Sequence, residues 1–438
     1  MMTVSRWHCL LACLAIAIAA TLEANDQVPG EPQSNPILIR GATIHRVDEA
    51  TIPVGSVLFD AGKIVAVDVR IDPPAGCVVV DGTGKHVYPG LIESMTDLGL
   101  REILSVGETS DSNERGERNP NVRSWVAVNP DSELIPVARA GGIMIAHVSP
   151  GGPFLRGQTA VMQMDGWTVS DMNLLAPAGL GVNWESLQPR DKDAKEEAKK
   201  RDDKLQSLDD WLDEAKRYGE ARTDGTIEIV SDVKLESLLP VLRRERPLFV
   251  EANHQSTIES AVAYAVGRDL SLVIYGGYDA VECADLLKRY EVPVIVAGTY
   301  RLPLHRHDAF DAAYTLPARL RKAGIRFAIA GEGLGYPGGS SNARNLPYHA
   351  ANAVAYGLSR DDAVAAMTMS AADILGIGDR VGSVTAGKDA TLIVCDGDIL
   401  ETETNVIDAF IQGRRVDLTS RHTMLFEKYK KKYSRQSR

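Results

Sequence analysis

Acidic side chains and histidines follow several long apolar runs in the middle of this chain. Asp97, Glu251 and Glu332 are the carboxylates at these positions, and His147 and His254 are the histidines. Carboxylates that lie close together repel one another, so each must be protonated, paired with a cation or bound to a metal ion. Such an arrangement is typical of a functional site. A solvated rim of charged side chains is the alternative interpretation.

The apolar runs that would position these residues are typical of strands buried on both faces of a parallel sheet. They cover residues 142–148, 247–251, 270–275, 292–297 and 325–332. Helical segments separate them. This alternation predicts an α/β fold, a TIM-like (β/α)8 barrel over residues 89–379. Active sites of such barrels lie at the carboxyl ends of the strands, which is where the candidate residues stand.

Shorter strand signals fill both ends of the chain. Residues 55–59 and 63–67 flank Asp60-Ala61-Gly62, a pattern that predicts a hairpin with glycine in its turn. Residues 391–395 and 406–411 show similar strand-like composition. We therefore expect a small composite β-sandwich, built from residues 36–88 together with residues 380–418.

The remaining segments lie outside these two units. Residues 1–24 contain Arg6 and the apolar run from Cys9 to Ala20, which predicts a secretory signal peptide. The run is shorter than the roughly 20 residues that a spanning helix needs. Export to the periplasm or the extracellular space would follow, with a lipid anchor at Cys13 as a minor alternative. Residues 25–35 are expected to form a flexible leader.

Residues 419–438 form a basic tail in a chain that is acidic overall. We expect this tail to be a solvated terminal segment, with a binding patch as the alternative. The net charge of −11 argues against general nucleic-acid binding. A small molecule is the expected partner, without nucleic acid or a membrane span, and a homo-oligomer stays possible. Cys77, Cys283 and Cys395 lack the spacing of a disulfide framework or a zinc site, and are expected in the core.

One stretch, Pro89-Gly90-Leu91-Ile92-Glu93-Ser94-Met95-Thr96-Asp97, resembles the first barrel strand of the amidohydrolase superfamily, whose pattern there is PGLIDxHxH. Residues 138–143, 156–161 and 351–358 resemble its imidazolonepropionase-like branch, and residues 382–391 resemble its GxxxxGKDAD pattern. The resemblance covers about residues 36–418. It implies a barrel with a β-sandwich, and hydrolysis of non-peptide C–N bonds in amides or cyclic amides.

The resemblance also implies where metal ligands would stand. The family takes two histidines from the first strand, one each from the fifth and sixth strands, and an aspartate from the eighth. The corresponding residues are Met95, Asp97, Glu251, Gly276 and Glu332, and none of them keeps the family's residue. A glycine offers no side-chain ligand, and a methionine thioether does not suit hydrolytic zinc.

A different cation is still compatible with the three carboxylates. Asp97, Glu251 and Glu332 could hold Mg²⁺, Mn²⁺ or Ca²⁺ through oxygen, so a hard divalent cation is possible and the usual binuclear zinc centre is not expected. Glu332 occupies the position of the family's general base and is the catalytic candidate.

Three further residues are candidates for substrate binding. His147 ends the second predicted strand, and His254 lies three residues past Glu251. A lone histidine is more often a structural hydrogen-bonding residue. Arg344 follows the glycine-rich segment 331–341, which we interpret as a flexible active-site loop. It is a plausible counter-ion for the carboxylates and equally a surface residue.

Three functions are compatible with this pattern. The first is an exported amidohydrolase-like hydrolase of C–N bonds with a degenerate or rebuilt metal site. The second is a non-catalytic pseudo-enzyme that acts as a binding or scaffold protein. The third is a metal-free lyase or isomerase that uses Glu332.

Overall fold

The computed structural model describes residues 28–103, 105–188, 194–224, 230–334 and 339–436. Within these ranges the chain forms two eight-stranded sheets. The strands are β1 (Ile37–Ile44), β2 (Ile52–Asp60), β3 (Lys63–Asp68), β4 (Val78–Asp81), β5 (His86–Pro89), β6 (Leu91–Thr96), β7 (Ile143–Val148), β8 (Leu155–Gln163), β9 (Asn173–Asn183), β10 (Leu248–Ala252), β11 (Leu272–Gly276), β12 (Val294–Ala297), β13 (Phe327–Ala330), β14 (Leu392–Cys395), β15 (Val406–Ile411) and β16 (Arg414–Arg415).

Helices connect most of the barrel strands. They are α1 (Ser124–Ala127), α2 (Leu134–Ala140), α3 (Val169–Met172), α4 (Ala194–Asp224), α5 (Val233–Leu242), α6 (Gln255–Gly267), α7 (Ala284–Arg289), α8 (Ala312–Ala323), α9 (Leu346–Ala355), α10 (Arg360–Ala366), α11 (Met369–Ile374) and α12 (Arg421–Gln436), with 3-10 turns at Gly107–Thr109, Trp184–Leu187 and Gly339–Asn345.

The two ends of the chain build one sheet together, as the sequence predicts. Its strand order is β16-β15-β14-β5-β1-β2-β3, with β4 paired beside the first half of β1. The predicted hairpin is present as β2 and β3. Its turn residues Ala61 and Gly62 have positive φ angles of 46° and 79°, the left-handed conformation that such turns favour.

This terminal sheet folds over on itself. Phe59 on β2 and Phe410 on β15 are fully buried, and their ring centroids lie 4.9 Å apart. Three strands separate β2 from β15 in the sheet, and neighbouring strands are about 4.8 Å apart, so a flat sheet would hold the two rings roughly 19 Å apart. The sheet therefore encloses a core of its own between its two halves. This is the composite unit predicted from residues 36–88 and 380–418, formed by one continuous sheet.

The second sheet is the predicted barrel, with strands β6 to β13 in chain order. One strand differs from a regular (β/α)8 barrel, because β8 runs antiparallel to both β7 and β9. Only residues 149–154 connect β7 to β8. A parallel crossover needs about a dozen residues or more, so this connection can only reverse the chain.

Buried polar groups bring the two outer strands of the barrel together. The Ser94 hydroxyl on β6 donates a hydrogen bond to the Ile329 carbonyl on β13, at 3.1 Å. The Gly331 amide, just past β13, donates to both carboxyl oxygens of Glu93 at 3.0 Å. Glu93 is fully buried, and burial raises its pKa to about 8, against the opposing effect of the Gly331 and Met95 amides. The eighth strand is thus held to the first immediately before Glu332.

The packing around Gly90 explains why the Pro-Gly-Leu-Ile motif requires glycine. Its amide donates to the Thr391 carbonyl of the terminal sheet at 2.9 Å. A Cβ at this position would lie 2.7 Å from Met144 and 2.9 Å from Thr391. Glycine therefore lets the chain pass from one sheet into the other at close range.

Two segments outside the two sheets form helices, and a third lies outside the described residues. The helix α4 is strongly charged and buries one side through Leu208, Leu212 and Ala215. The tail expected as a solvated segment is the helix α12. The predicted signal peptide, with Arg6 and Cys13, lies outside the described residues. In the described ranges, no helix is long and apolar enough to cross a membrane.

Candidate active site

A cavity of about 500 Å³ opens at the carboxyl ends of the barrel strands. It is the place where the sequence predicts the active site. The residues that line it come from strand ends and the following loops. They are Arg101, Asn113, Gly151, Gly152, Arg156, Asn183, Glu251, Asn253, Tyr275, Gly276, Ala297, Gly298, Tyr300, Arg301, Glu332, Leu334 and His349.

Asp97, at the second metal position of the first strand, is engaged by an arginine. The Arg101 Nε donates to the Asp97 Oδ2 at 3.0 Å, and the Ser340 amide donates to Oδ1 at 3.0 Å. Asp97 is buried, and burial raises its pKa, while Arg101 and the Ser340 amide act in the opposite direction. Arg101 lines the cavity, and its ion pair with the buried Asp97 holds the guanidinium in place.

Glu251, at the fifth-strand position, also has an arginine partner. The Arg156 Nη2 pairs with the Glu251 Oε2, and the Arg156 Nε donates to the Gly152 carbonyl at 3.2 Å. Arg156 is only 8% exposed and Glu251 is partly buried, so the pair is largely shielded from water. A guanidinium thus neutralises the carboxylate that a cation would use.

The sixth-strand position cannot hold a ligand side chain. Gly276 has a φ angle of +102°, and a Cβ built there would lie 2.6 Å from the Asn253 Oδ1. Asn253 itself accepts hydrogen bonds from the Arg301 Nη1 and Nη2, both at 3.2 Å. Asn253 therefore fills the space beside Gly276 and fixes Arg301 at the cavity wall. At this position the space beside the strand is occupied by Asn253 and not by a metal-ligand side chain.

Two buried side chains of the cavity lining have defined hydrogen-bonding roles. The Tyr275 hydroxyl oxygen accepts from the Leu334 amide at 3.1 Å, so its own proton can be donated elsewhere. The His349 Nδ1 accepts from the Thr299 amide at 3.0 Å, which places the proton of the neutral ring on Nε2. Burial lowers the pKa of His349 to about 4, so the ring is neutral at physiological pH. Its Nε2 has no hydrogen-bond partner among the described residues.

Glu332 and Arg301 are the charged cavity residues that are not engaged by an opposite charge in the described part of the chain. Glu332 follows β13 and lines the cavity, as expected for its position at the end of the eighth strand. Arg301 has Asn253 as its hydrogen-bond partner and lies 5.9 Å from the centroid of the Tyr278 ring. The cavity thus offers one carboxylate and one guanidinium to a ligand.

The structure does not group these residues as a metal site. Across residues 28–103, 105–188, 194–224, 230–334 and 339–436, no three His, Cys, Asp or Glu side chains form a group that could hold a metal ion. Of the predicted ligands, Glu251 and Glu332 line the cavity, while Asp97 contacts it through Arg101. Met95 is buried in the hydrophobic core.

The three predicted substrate-binding residues lie elsewhere. His147 is fully buried, with its Nδ1 2.8 Å from the Ser94 carbonyl oxygen and its ring against Phe249. The His254 Nδ1 pairs with the Glu185 Oε2 at 2.9 Å. The Arg344 Nη1 lies 2.7 Å from the His422 Nδ1 at the start of α12. None of the three is among the residues that line the cavity, and their roles in substrate binding stay predictions.

The sequence interpretation missed the arginines. Arg156 lies in a motif that carries the family resemblance, and Arg101 follows Asp97 by four residues, so an opposite charge near each acidic residue was visible in the sequence. Arg301 and His349 left no comparable signal, because only the fold brings the loop after β12 and the helix α9 to the same cavity.

An eight-stranded barrel joined to a sheet from both chain ends, with a cavity at the strand ends, agrees with the fold that the sequence resemblance implies. Residues 312–417 match the model of the Amidohydrolase family. The structure is similar to the crystal structure of an amidohydrolase from Thermotoga maritima MSB8. The TM-score is 0.76 and the identity 26%, over 87% of this chain and 99% of that one.

Two other proteins extend this comparison. Amidohydrolase tasK from Hapsidospora irregularis is 23% identical over 397 residues, which is 82% of this chain. The chain spans 39% of the length of that protein. The structure of molinate hydrolase covers 89% of this chain and is itself covered to 96%, with a TM-score of 0.53 and 16% identity, which shows the shared fold alone. These likenesses do not distinguish the imidazolonepropionase-like branch, which stays a prediction.

Proposed function

We propose that this protein is an amidohydrolase-superfamily barrel that binds a carboxylate-bearing small molecule at its mouth, without the binuclear metal centre of the family. The main support comes from the residues that stand at the family's metal-ligand positions. Arginines neutralise Asp97 and Glu251, and the Asn253 side chain fills the space beside Gly276. The donor set that is present does not fit a zinc centre built on histidine ligands.

The chemistry of the cavity supports an anionic ligand. Arg301 presents a planar guanidinium that has no carboxylate partner among the described residues, and such a group binds carboxylates in a bidentate manner. Tyr275 adds a neutral donor from a buried position in the same lining. These side chains are preorganised by their own hydrogen bonds, which lowers the entropic cost of binding.

A second candidate function is hydrolysis of a C–N bond by a rebuilt, metal-independent site. The observation that favours it is Glu332, which keeps a carboxylate at the general-base position and lines the same cavity as Tyr275 and His349. Glu332 would take a proton from water as the water oxygen attacks the carbonyl carbon. Tyr275 would donate to the carbonyl oxygen, and the departing nitrogen would take up the proton.

Metal analysis and an amide substrate separate these functions. We expect purified protein to contain less than about one zinc ion for every ten chains, because no histidine ligands remain at the family positions. N-acetyl-L-aspartate carries carboxylates and one amide, so it serves as a probe for both binding and hydrolysis. Binding without release of aspartate, with or without added Zn²⁺, Mn²⁺ or Mg²⁺, is expected for a binding protein. Turnover that is lost in Glu332→Gln would establish the second function, and stoichiometric zinc would contradict both.

Arg301→Gln is expected to weaken binding of N-acetyl-L-aspartate by about 10- to 100-fold, because it removes a charge-assisted bidentate contact. Isothermal titration calorimetry measures the loss. Arg306→Gln makes the same change of charge on an exposed side chain of the same loop, and it is expected to leave affinity unchanged. Equal losses of affinity in the two variants would mean that Arg301 contributes only to the overall electrostatic potential of the protein. An unchanged affinity in Arg301→Gln would exclude it from the site.

A further inference from the structure

The helix α12 differs from the rest of the molecule in its charge and exposure. Over Arg421–Gln436 it contains six basic residues and one acidic residue, whereas the whole chain has a net charge of −11. Every side chain from residue 421 to residue 435 is exposed. Its first turn is attached to the barrel through His422 and Arg344, and by contacts with α2. The rest of the helix extends its side chains into solvent.

The aromatic residues and most of the basic residues start from different sides of this helix, although the Lys430 ammonium lies 5.5 Å from the centre of the Phe426 ring and the Lys432 ammonium lies 5.7 Å from the Tyr429 and Tyr433 rings. Phe426, Tyr429 and Tyr433 are spaced by three and four residues and are 64%, 47% and 59% exposed. Lys428, Lys431, Lys432 and Arg435 repeat with the same spacing, about half a turn away. The aromatic side of this helix is exposed among the described residues, so the helix gains little from the packing that supplies most helical stability.

We propose that α12 is a membrane-surface helix that docks on anionic lipid. Helices with this division lie in the plane of the bilayer interface, with aromatic rings at the boundary of headgroups and acyl chains. Their lysines and arginines bind lipid phosphates, each one contributing about a fivefold increase in affinity for an anionic surface. The aromatic side distinguishes a lipid surface from a purely electrostatic partner, since the exposed Phe426 ring gains from leaving water.

Charge complementarity also sets the orientation of the protein. An acidic body is repelled by an anionic bilayer, so attachment is confined to the basic helix. The contact at Arg344 ties the start of α12 to the segment that follows the glycine-rich loop, on the barrel unit. This inference does not depend on which molecule the barrel cavity binds.

Co-sedimentation of the full chain with lipid vesicles tests the proposal. Binding to vesicles that contain phosphatidylglycerol is expected to exceed binding to pure phosphatidylcholine, and to weaken as the salt concentration rises. Replacing Lys428, Lys431, Lys432 and Arg435 by glutamine is expected to reduce binding by about a hundredfold or more. A second variant, Phe426→Ser with Tyr429→Ser, is expected to reduce it by about tenfold.

A matched control neutralises four basic residues elsewhere. Lys199, Lys216, Arg217 and Lys234 are exposed on α4 and α5, and their replacement by glutamine is expected to leave vesicle binding unchanged. All proteins in the comparison share residues 1–24, so lipid affinity of that segment cannot produce a difference between them. Equal binding by the control and by the α12 variant would overturn the proposal. So would self-association through α12, or preferential binding of a labelled single-stranded oligonucleotide.

Discussion

Between pH 6.5 and pH 8 the free energy of unfolding of the wild type is expected to fall by about 2 kcal/mol relative to that of Glu93→Gln. The pKa of Glu93 is about 8 in the folded protein, against 4.5 as the ordinary value of a glutamate. Between these values the folded protein holds a proton that the unfolded chain has already released. The contribution of Glu93 to the free energy of unfolding therefore falls as the pH rises, by about 1.4 kcal/mol per pH unit.

Buried histidines change the free energy of unfolding in the opposite direction, over a lower pH range. Burial lowers the pKa of His147 and of His349 to about 4, from an ordinary value of 6.5. Between pH 4 and pH 6.5 the unfolded chain binds protons that these folded-state rings do not, so stability rises with pH there. Above pH 6.5 this contribution levels off over about one pH unit. It is the same in the wild type and in Glu93→Gln, so the difference between the two proteins isolates the slope that Glu93 produces.

Urea unfolding at a series of pH values gives the required comparison. Glu93→Gln keeps the shape of the side chain and an oxygen that accepts from the Gly331 amide. Glu220→Gln changes an exposed residue of α4 and is expected to run parallel to the wild type. If Glu93→Gln also runs parallel to the wild type from pH 6.5 to pH 8, Glu93 does not hold a proton in the folded state.

The architecture was predictable because periodic patterns of apolar residues in the sequence indicate its strands and helices. Continuous apolar runs and their alternation with helices depend on local sequence, and both survive in β10 to β13. The hairpin of β2 and β3 is marked by its turn residues. The reversal of β8 was not predicted, because it depends on the length of one connection. The helix α12 was missed because its basic composition is equally typical of a solvated tail.

The sequence predicts candidate site residues at the strand ends, but it does not predict the partners of their charges. Glu251 near the end of β10 and Glu332 just past β13 both line the cavity at the carboxyl ends of the strands. What the sequence could not provide is the partner of each charge, since Arg156 and Glu251 are 95 residues apart in the chain. The conformation of Gly276 was equally hidden, because a positive φ angle depends on the neighbouring Asn253 and on the register of β11.

Phe59→Ala is expected to destabilise the protein by about 3 to 5 kcal/mol, because it leaves a cavity in a core that the terminal sheet encloses alone. Phe59 is fully buried and packs edge-on against Phe410, with an angle of 65° between the rings. Phe410→Ala is expected to cost a similar amount. Val65→Ala on β3 removes an apolar side chain that is 52% exposed, and is expected to change the free energy of unfolding by less than about 0.5 kcal/mol.

The double variant tests whether the two chain ends share one core. If the rings contact each other, the loss in Phe59→Ala/Phe410→Ala is expected to fall short of the sum of the single losses by about 0.5 to 1.5 kcal/mol. Strictly additive losses would mean that the halves of the terminal sheet do not close on each other. Since β5 of this sheet continues through Gly90 into β6, loosening the fold-over would also release the first barrel strand. The arginine-paired cavity is therefore expected to lose its preorganisation in the double variant, and binding of N-acetyl-L-aspartate to weaken with it.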